Sequence, residues 1–202
     1  MNQSIKRNYT LIVDASGSMS THDGFKGLSR WAEAEQAVAT FAEKCADFDP
    51  DGIDLYFFAD RYRKHKNLAN TKKVARLFKR RSPGGTTNLV DPLDEALETF
   101  FKKHSRDESY AETIVVIGDG TPNSPHGVKT VLVQATKRLS DGESLAILFL
   151  QVGQDSGATR FLQELDDDLE SRGAKYDIVD TKTAASIEIL GVEKALLDAI
   201  FD

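Results

Sequence analysis

The chain is short of cysteine and lacks long apolar runs, internal repeats and low-complexity linkers. Its one thiol, Cys45, has no second cysteine to pair with, which excludes an internal disulfide and suits a reducing, cytoplasmic setting. Residues Met1-Asn2-Gln3-Ser4-Ile5-Lys6-Arg7-Asn8 contain no apolar core of the kind a secretion signal needs. No stretch approaches the roughly 20 apolar residues of a membrane-spanning helix, so no membrane association is expected. Several kinds of catalytic and nucleotide-binding machinery are missing too. Neither G-x-G-x-x-G nor G-x-x-x-x-G-K-[ST] occurs, and Gly127-Val128-Lys129-Thr130 interposes a valine between glycine and lysine. There is no G-x-S-x-G for a serine hydrolase. The four histidines (22, 65, 104 and 126) are isolated, without the spacing of a zinc site.

What is present is ample core. At 202 residues and 40% hydrophobic content, residues 1–202 read as one globular domain. Short apolar runs alternate with stripes spaced three and four residues apart. Leu11-Ile12-Val13 is an apolar run without polar alternation, as expected of a strand buried on both faces. Trp31, Ala34, Val38, Phe41, Cys45 and Phe48 form one helical stripe, which places Cys45 in the core as a small hydrophobe. Asp49-Pro50-Asp51-Gly52 has turn chemistry. Ile53–Ala59 reads as a second strand, and Tyr62–Leu68 as an antiparallel edge strand beside it. Thr113–Gly118 and Leu145–Val152 read as buried strands and Tyr176–Val179 as a short last one. Helical stripes lie at Leu93, Leu97, Phe100 and Phe101, at Val128, Val131, Leu132, Ala135 and Leu139, at Phe161, Leu162, Leu165 and Leu169, and at Val192, Leu196 and Ile200. The alternation implies an α/β fold: a doubly wound, Rossmann-like, mostly parallel six-stranded sheet with one antiparallel edge strand and helices on both faces.

Three loops follow the strands and helices of this pattern. After the first strand comes Asp14-Ala15-Ser16-Gly17-Ser18, with Gly17 expected to let the backbone turn sharply. Asp14, Ser16 and Ser18 would then gather at the carboxyl end of a central strand, where open α/β sheets bind ligands. A carboxylate and two hydroxyls are hard donors, suited to Mg²⁺, Mn²⁺ or Ca²⁺. A second loop, Ser82-Pro83-Gly84-Gly85-Thr86-Thr87-Asn88-Leu89, precedes a helix, and a third, Asp119-Gly120-Thr121-Pro122-Asn123, ends a buried strand. His22 and His126 fall in loops near this edge and read as solvent-exposed. The acidic run Glu164–Glu170 reads as a solvated helix face.

These three loops, in this order, resemble the metal-ion-dependent adhesion site of von Willebrand factor type A (VWA) domains: the DxSxS signature, a threonine after glycine followed by x-Leu and a helix, and D-G-x-P. The resemblance implies metal ligands Asp14, Ser16, Ser18, Thr87 and Asp119. Thr87 fits the spacing to Leu89 and Leu93, while Thr86 keeps the place directly after the glycines and stands in reserve. Gly118 occupies a position that is often threonine in the family. The resemblance also implies a binding module without catalysis, in which the ion, Mg²⁺ or alternatively Mn²⁺ or Ca²⁺, takes an Asp or Glu of a partner protein. The alternative is a metal-assisted phosphohydrolase, because Gly118-Asp119-Gly120 also resembles a late motif of haloacid-dehalogenase-type phosphatases. Those enzymes usually place a second acid two residues after the nucleophile, and here that position is Ser16.

Residues 61–81 hold ten lysines and arginines and no acid, in a chain whose net charge is −6. Such a segment can steer an acidic partner, or it can simply guard an edge strand and solvate the helix after it. Lys72, Arg76 and Lys79 share one helix face, with Val74, Leu77 and Phe78 turned inward. Stacking aromatics are few, with Tyr62 the obvious one, so nucleic acid is not an expected partner.

Overall fold

The computed structural model describes residues 7–48 and 52–201. Six strands form one sheet: β1 (Asn8–Asp14), β2 (Ile53–Phe58), β3 (Tyr62–Leu68), β4 (Glu112–Gly118), β5 (Leu145–Gln151) and β6 (Val179–Thr183). Their order across the sheet is β3-β2-β1-β4-β5-β6. Only the β2–β3 pair is antiparallel; the other four pairings are parallel. From β1 the chain builds outward to one edge, then returns to lay β4 on the opposite side of β1. The β1–β4 boundary is therefore the switch point of the sheet, where the outgoing loops diverge and leave a crevice. Asp14 ends β1 and Asp119 directly follows β4.

The three inner apolar strands form because both of their faces are covered. Leu11, Val13, Val115, Ile117, Leu148 and Leu150 face a core built with α1 (Arg30–Phe48), α2 (Thr71–Lys79), α6 (Ala184–Leu190) and α7 (Val192–Phe201). Ile12, Ile114, Val116, Ile147 and Phe149 face the opposite core, built with α3 (Val90–His104), α4 (Pro125–Arg138) and α5 (Ser156–Asp167). Burying each such side chain contributes about 1.5–3 kcal/mol. Cys45 is fully buried on the α1 stripe, as its spacing implies. Trp31 of α1 packs on Phe78 of α2 and Phe57 of β2, with ring centroids 4.7 and 5.7 Å apart. Side-chain caps fix several helix starts: Asn70 accepts from the Lys72 amide, Ser124 from Gly127 and Asp155 from Ala158.

Several local expectations are corrected. The last strand is Val179–Thr183, not Tyr176–Val179. Tyr176 and Ile178 pack against the core from the segment before it, whereas the strand itself is a polar edge strand. The fifth helix ends at Asp167, so Leu169 is buried from the turn beyond it. Helix α6 has no counterpart in the sequence reading. His126 lies in the first turn of α4 and not in a loop, although it is exposed as expected. Gly17 does not adopt a left-handed conformation, and its amide instead donates to the Gly85 carbonyl. Of the turn expected at Asp49-Pro50-Asp51-Gly52, only Gly52 lies within the described residues, at φ +82°. Among the described residues, no helix is long and apolar enough to cross a membrane.

Candidate functional site

The carboxyl ends of β1, β2 and β4 lie side by side, with Asp14 in register with Phe58 and Val13 with Ile117. Backbone bonds clip the loops together over them. The Ala15 amide donates to the Phe58 carbonyl, Gly84 to Ala15 and Gly17 to Gly85. Gly85 sits at φ +83°, and a Cβ there would lie 2.5 Å from Asp60 Oδ2. Glycine is needed on both counts.

Within this frame the first-loop and third-loop residues form one chain of hydrogen bonds. Asp14 Oδ1 accepts from the Ser16 amide at 2.7 Å. The Ser16 and Ser18 hydroxyls share a 3.1 Å bond, and the Ser18 hydroxyl donates to Asp119 Oδ1 at 3.0 Å. Asp14 and Asp119 are buried, at 1% and 0% exposure. Burial pushes the Asp14 carboxyl up to about 7; the bonds from Ser16 oppose this, and the nearby Asp119 adds to it. Gly118 leaves room here, since a Cβ on it would touch the Asp14 Cβ at 3.4 Å.

The two threonines are placed differently. The Thr86 hydroxyl donates to Asp60 Oδ1 at 2.8 Å and accepts from Asn123 Nδ2 at 2.9 Å. Thr87 is held only by its backbone: its amide donates to Asn123 Oδ1 and its carbonyl accepts from the Asn123 amide. Among the described residues its hydroxyl has no hydrogen-bond partner. Thr87 lines the same narrow cavity as Asp14, Gly118, Gly120 and Pro122.

Three charged residues beside this chain are absent from the sequence reading. Arg30, at the start of α1, donates from Nη1 to Asp119 Oδ2 at 2.7 Å. Its Nε and Nη2 grip Asp23 Oδ1 and Oδ2 at 2.7 and 2.6 Å. That bidentate contact first, and Asp119 second among the partners, drive the guanidinium still further from deprotonation, while Arg30 holds Asp23 below the usual carboxylate range. Glu33, one turn on, accepts from the amides of Phe25 and Gly153. A first-turn Arg and Glu on an amphipathic helix look like a surface pair, so nothing in the sequence flagged them. The structure buries both, at 8% and 6% exposure.

Among the described residues, no three His, Cys, Asp or Glu side chains gather into a metal-binding group. The donors that converge are two carboxylates and hydroxyls. Such all-oxygen donors fit a hard divalent cation and do not fit zinc or copper. His22 is exposed in its loop and makes no part of this chain of contacts.

A family model described as "von Willebrand factor type A domain" matches residues 9–121, the span from β1 to the Asp119 loop. Among solved structures, the manganese-loaded TRAP protein of Plasmodium vivax superposes with a TM-score of 0.66 at 16% identity, covering 93% of this chain and 72% of that one. The VWA domain of SpRpn10 gives 0.63 at 14% identity, covering 88% and 87%. The PilB minor pilin of Streptococcus sanguinis, as its D319A mutant, gives 0.67 at 13% identity, covering 98% of this chain and 62% of the pilin. At these identities the likeness is one of fold. No curated protein matches the chain.

Proposed function

Because the chain belongs to the von Willebrand factor type A domain family, whose members generally mediate protein–protein interactions, we propose that it is a protein-binding module with a divalent ion at the carboxyl edge of its sheet. The observation that carries this reading is the hydrogen-bonded chain Asp14–Ser16–Ser18–Asp119 at the switch point, with the uncommitted Thr87 hydroxyl beside it. Asp14, Ser16, Ser18, Thr87 and Asp119 would hold Mg²⁺, or alternatively Mn²⁺ or Ca²⁺. The manganese carried by the TRAP protein of similar fold supports that choice. When bound, such an ion supplies a Lewis-acidic position for an Asp or Glu of the partner. The protein's own groups set the stage. Backbone bonds from Gly84 and Gly17 hold the loops in place, and Asp14 and Asp119 place two buried carboxyl groups at the edge.

The partner is an acidic protein segment, and the cations of residues 61–81 steer it toward this edge. A cytoplasmic setting goes with the reading, in keeping with a single, buried thiol. No catalysis is proposed, because position 16 carries a serine whose hydroxyl is shared with Ser18, where a phosphohydrolase of the rival type would place its acid.

Calorimetric titration with Mg²⁺ and Mn²⁺ tests the proposal. Wild type should bind one ion, and Asp14→Ala should lose binding while keeping its fold. Equal affinity in the two proteins would remove Asp14 from the site.

A further inference from the structure

Asp119 is already shared with a permanent cation. Its Oδ1 faces Ser18 and the rest of the donor chain at 3.0 Å, while Oδ2 is held by Arg30 Nη1 at 2.7 Å. A guanidinium keeps its charge at any accessible pH. The other edge of the same guanidinium is fixed on Asp23 by two bonds of 2.7 and 2.6 Å, so Arg30 is clamped in place.

The surroundings are shaped to receive it. Gly153 adopts φ +70°, and a Cβ there would lie 2.5 Å from Arg30 Nε, so any other residue would expel the arginine. Glu33 holds the Gly153 amide at 2.9 Å and the Phe25 amide at 3.3 Å, fixing the walls on either side. Arg30 thereby joins the loops after β1 and β4, with Gly153 of the loop after β5 packed closely against its side chain.

We propose that Arg30 is a built-in competitor for Asp119, a fixed positive charge that weakens divalent-ion binding at this site and makes an anionic partner part of a stable complex. The inference rests on the metal-site reading above and specifies how that site is regulated. A divalent ion held by Asp119 would share that carboxylate with the guanidinium, and two like charges beside one buried carboxylate repel each other. Asp14 and Asp119 together balance one divalent ion; Arg30 adds a positive charge that Asp23 offsets at its far end. A partner's carboxylate would offset that repulsion. Affinity for the ion and for an acidic ligand are then coupled, each raising the other.

The rival explanation makes Arg30 a strut that only positions Asp119. Arg30→Gln separates the two, because glutamine keeps a donor for Asp119 and removes the charge. The full chain is titrated with Mn²⁺ alone, free ion being read by electron paramagnetic resonance, and each variant is melted in chelator. Arg30→Gln should bind Mn²⁺ about tenfold more tightly than wild type, although it melts at a lower temperature in chelator. Arg30→Lys, which keeps the charge, should stay within about threefold of wild type. If Arg30→Gln does not fold, Arg30→Met takes its place with the same expected tightening. Equal or weaker Mn²⁺ binding in the neutral variant overturns the proposal and leaves the metal site standing. No Mn²⁺ binding by wild type or any variant overturns both.

Discussion

At the scale of single residues, the site turns on which hydroxyls are already committed. Thr86 and Thr87 are adjacent and chemically identical; spacing to Leu89 and Leu93 favours Thr87 and keeps Thr86 in reserve. The fold separates them: Thr86 Oγ1 is tied to Asp60 and Asn123, whereas the Thr87 hydroxyl is uncommitted among the described residues and Thr87 lines the cavity that Asp14 also lines. Thr87→Ala should therefore weaken Mn²⁺ binding about tenfold or more, with little change in thermal stability. Thr86→Ala should leave Mn²⁺ affinity within about threefold and lower the melting temperature slightly, because Asp60 and Asn123 each lose a hydrogen-bond partner. Calorimetry and melting on the two variants check this, and the opposite pattern would move the ligand to Thr86. That Asp14, Ser16, Ser18 and Asp119 come together was legible because they are local: each sits at or near the end of a strongly apolar strand. Arg30 was not, since its role depends on Asp23, Asp119 and Gly153, which come from three separate loops.

At the scale of elements, legibility follows burial. The inner strands β1, β4 and β5 have two apolar faces; the bounds of β4 and β5 came within a residue, while β1 begins at Asn8, three residues before the apolar run Leu11–Val13. The edge strand β6 (Val179–Thr183) has the sequence Val-Asp-Thr-Lys-Thr, and its apolar neighbours Tyr176 and Ile178 drew the expected strand three residues too early. Its contact with α5 holds a perturbed carboxyl group. Asp166 of α5 accepts from the Thr181 hydroxyl at 3.0 Å. Burial first, and then the carboxylates of Asp180, Asp167 and Asp177, push it up to about 6 from an ordinary 3.8, against the Thr181 bond. The folded state thus holds this proton more tightly than the unfolded chain. Its stabilising contribution is full below about pH 4 and is lost as pH rises through 6. Asp166→Asn keeps an acceptor for Thr181 and removes the charge. Discounted for the solvent around a half-buried group, the variant should gain about 1 kcal/mol at pH 7 and nothing at pH 3.5. Urea denaturation at the two pH values measures this, and an equal effect at both would show that the carboxylate's charge is not the cause.

At the scale of the whole molecule, charge is divided unevenly: ten cations fall within residues 61–81 of a chain carrying −6 overall. The fold puts them on β3, an edge strand, and on α2 and the turn after it. Part of this charge has local work. Lys64 lies within 3.6 Å of Asp54 and 3.9 Å of Glu95, and Arg81 covers the Phe57 ring at 5.5 Å. Lys72, Arg76 and Lys79 are exposed on one side of α2, while Val74 and Phe78 are buried on the other. Arg81 leads into the loop whose Gly84 and Gly85 bond to the Asp14 loop, so the basic segment ends at the chain stretch that frames the proposed ion site. Steering of an acidic partner by this edge would weaken as salt screens it. Nucleic acid is a poorer fit, because the segment carries few aromatics on which bases could stack, and the rest of the surface repels phosphate. Reversing Lys72, Arg76 and Lys79 to Glu should leave Mn²⁺ affinity within about twofold, since the site's own donors are untouched. Random duplex DNA should show no shift with wild type at about 150 mM salt, where binding driven by a few phosphate contacts is already weak. A tight shift that survives chelator and disappears in the triple reversal would place the protein's function on the basic edge instead of at Asp14 and Asp119.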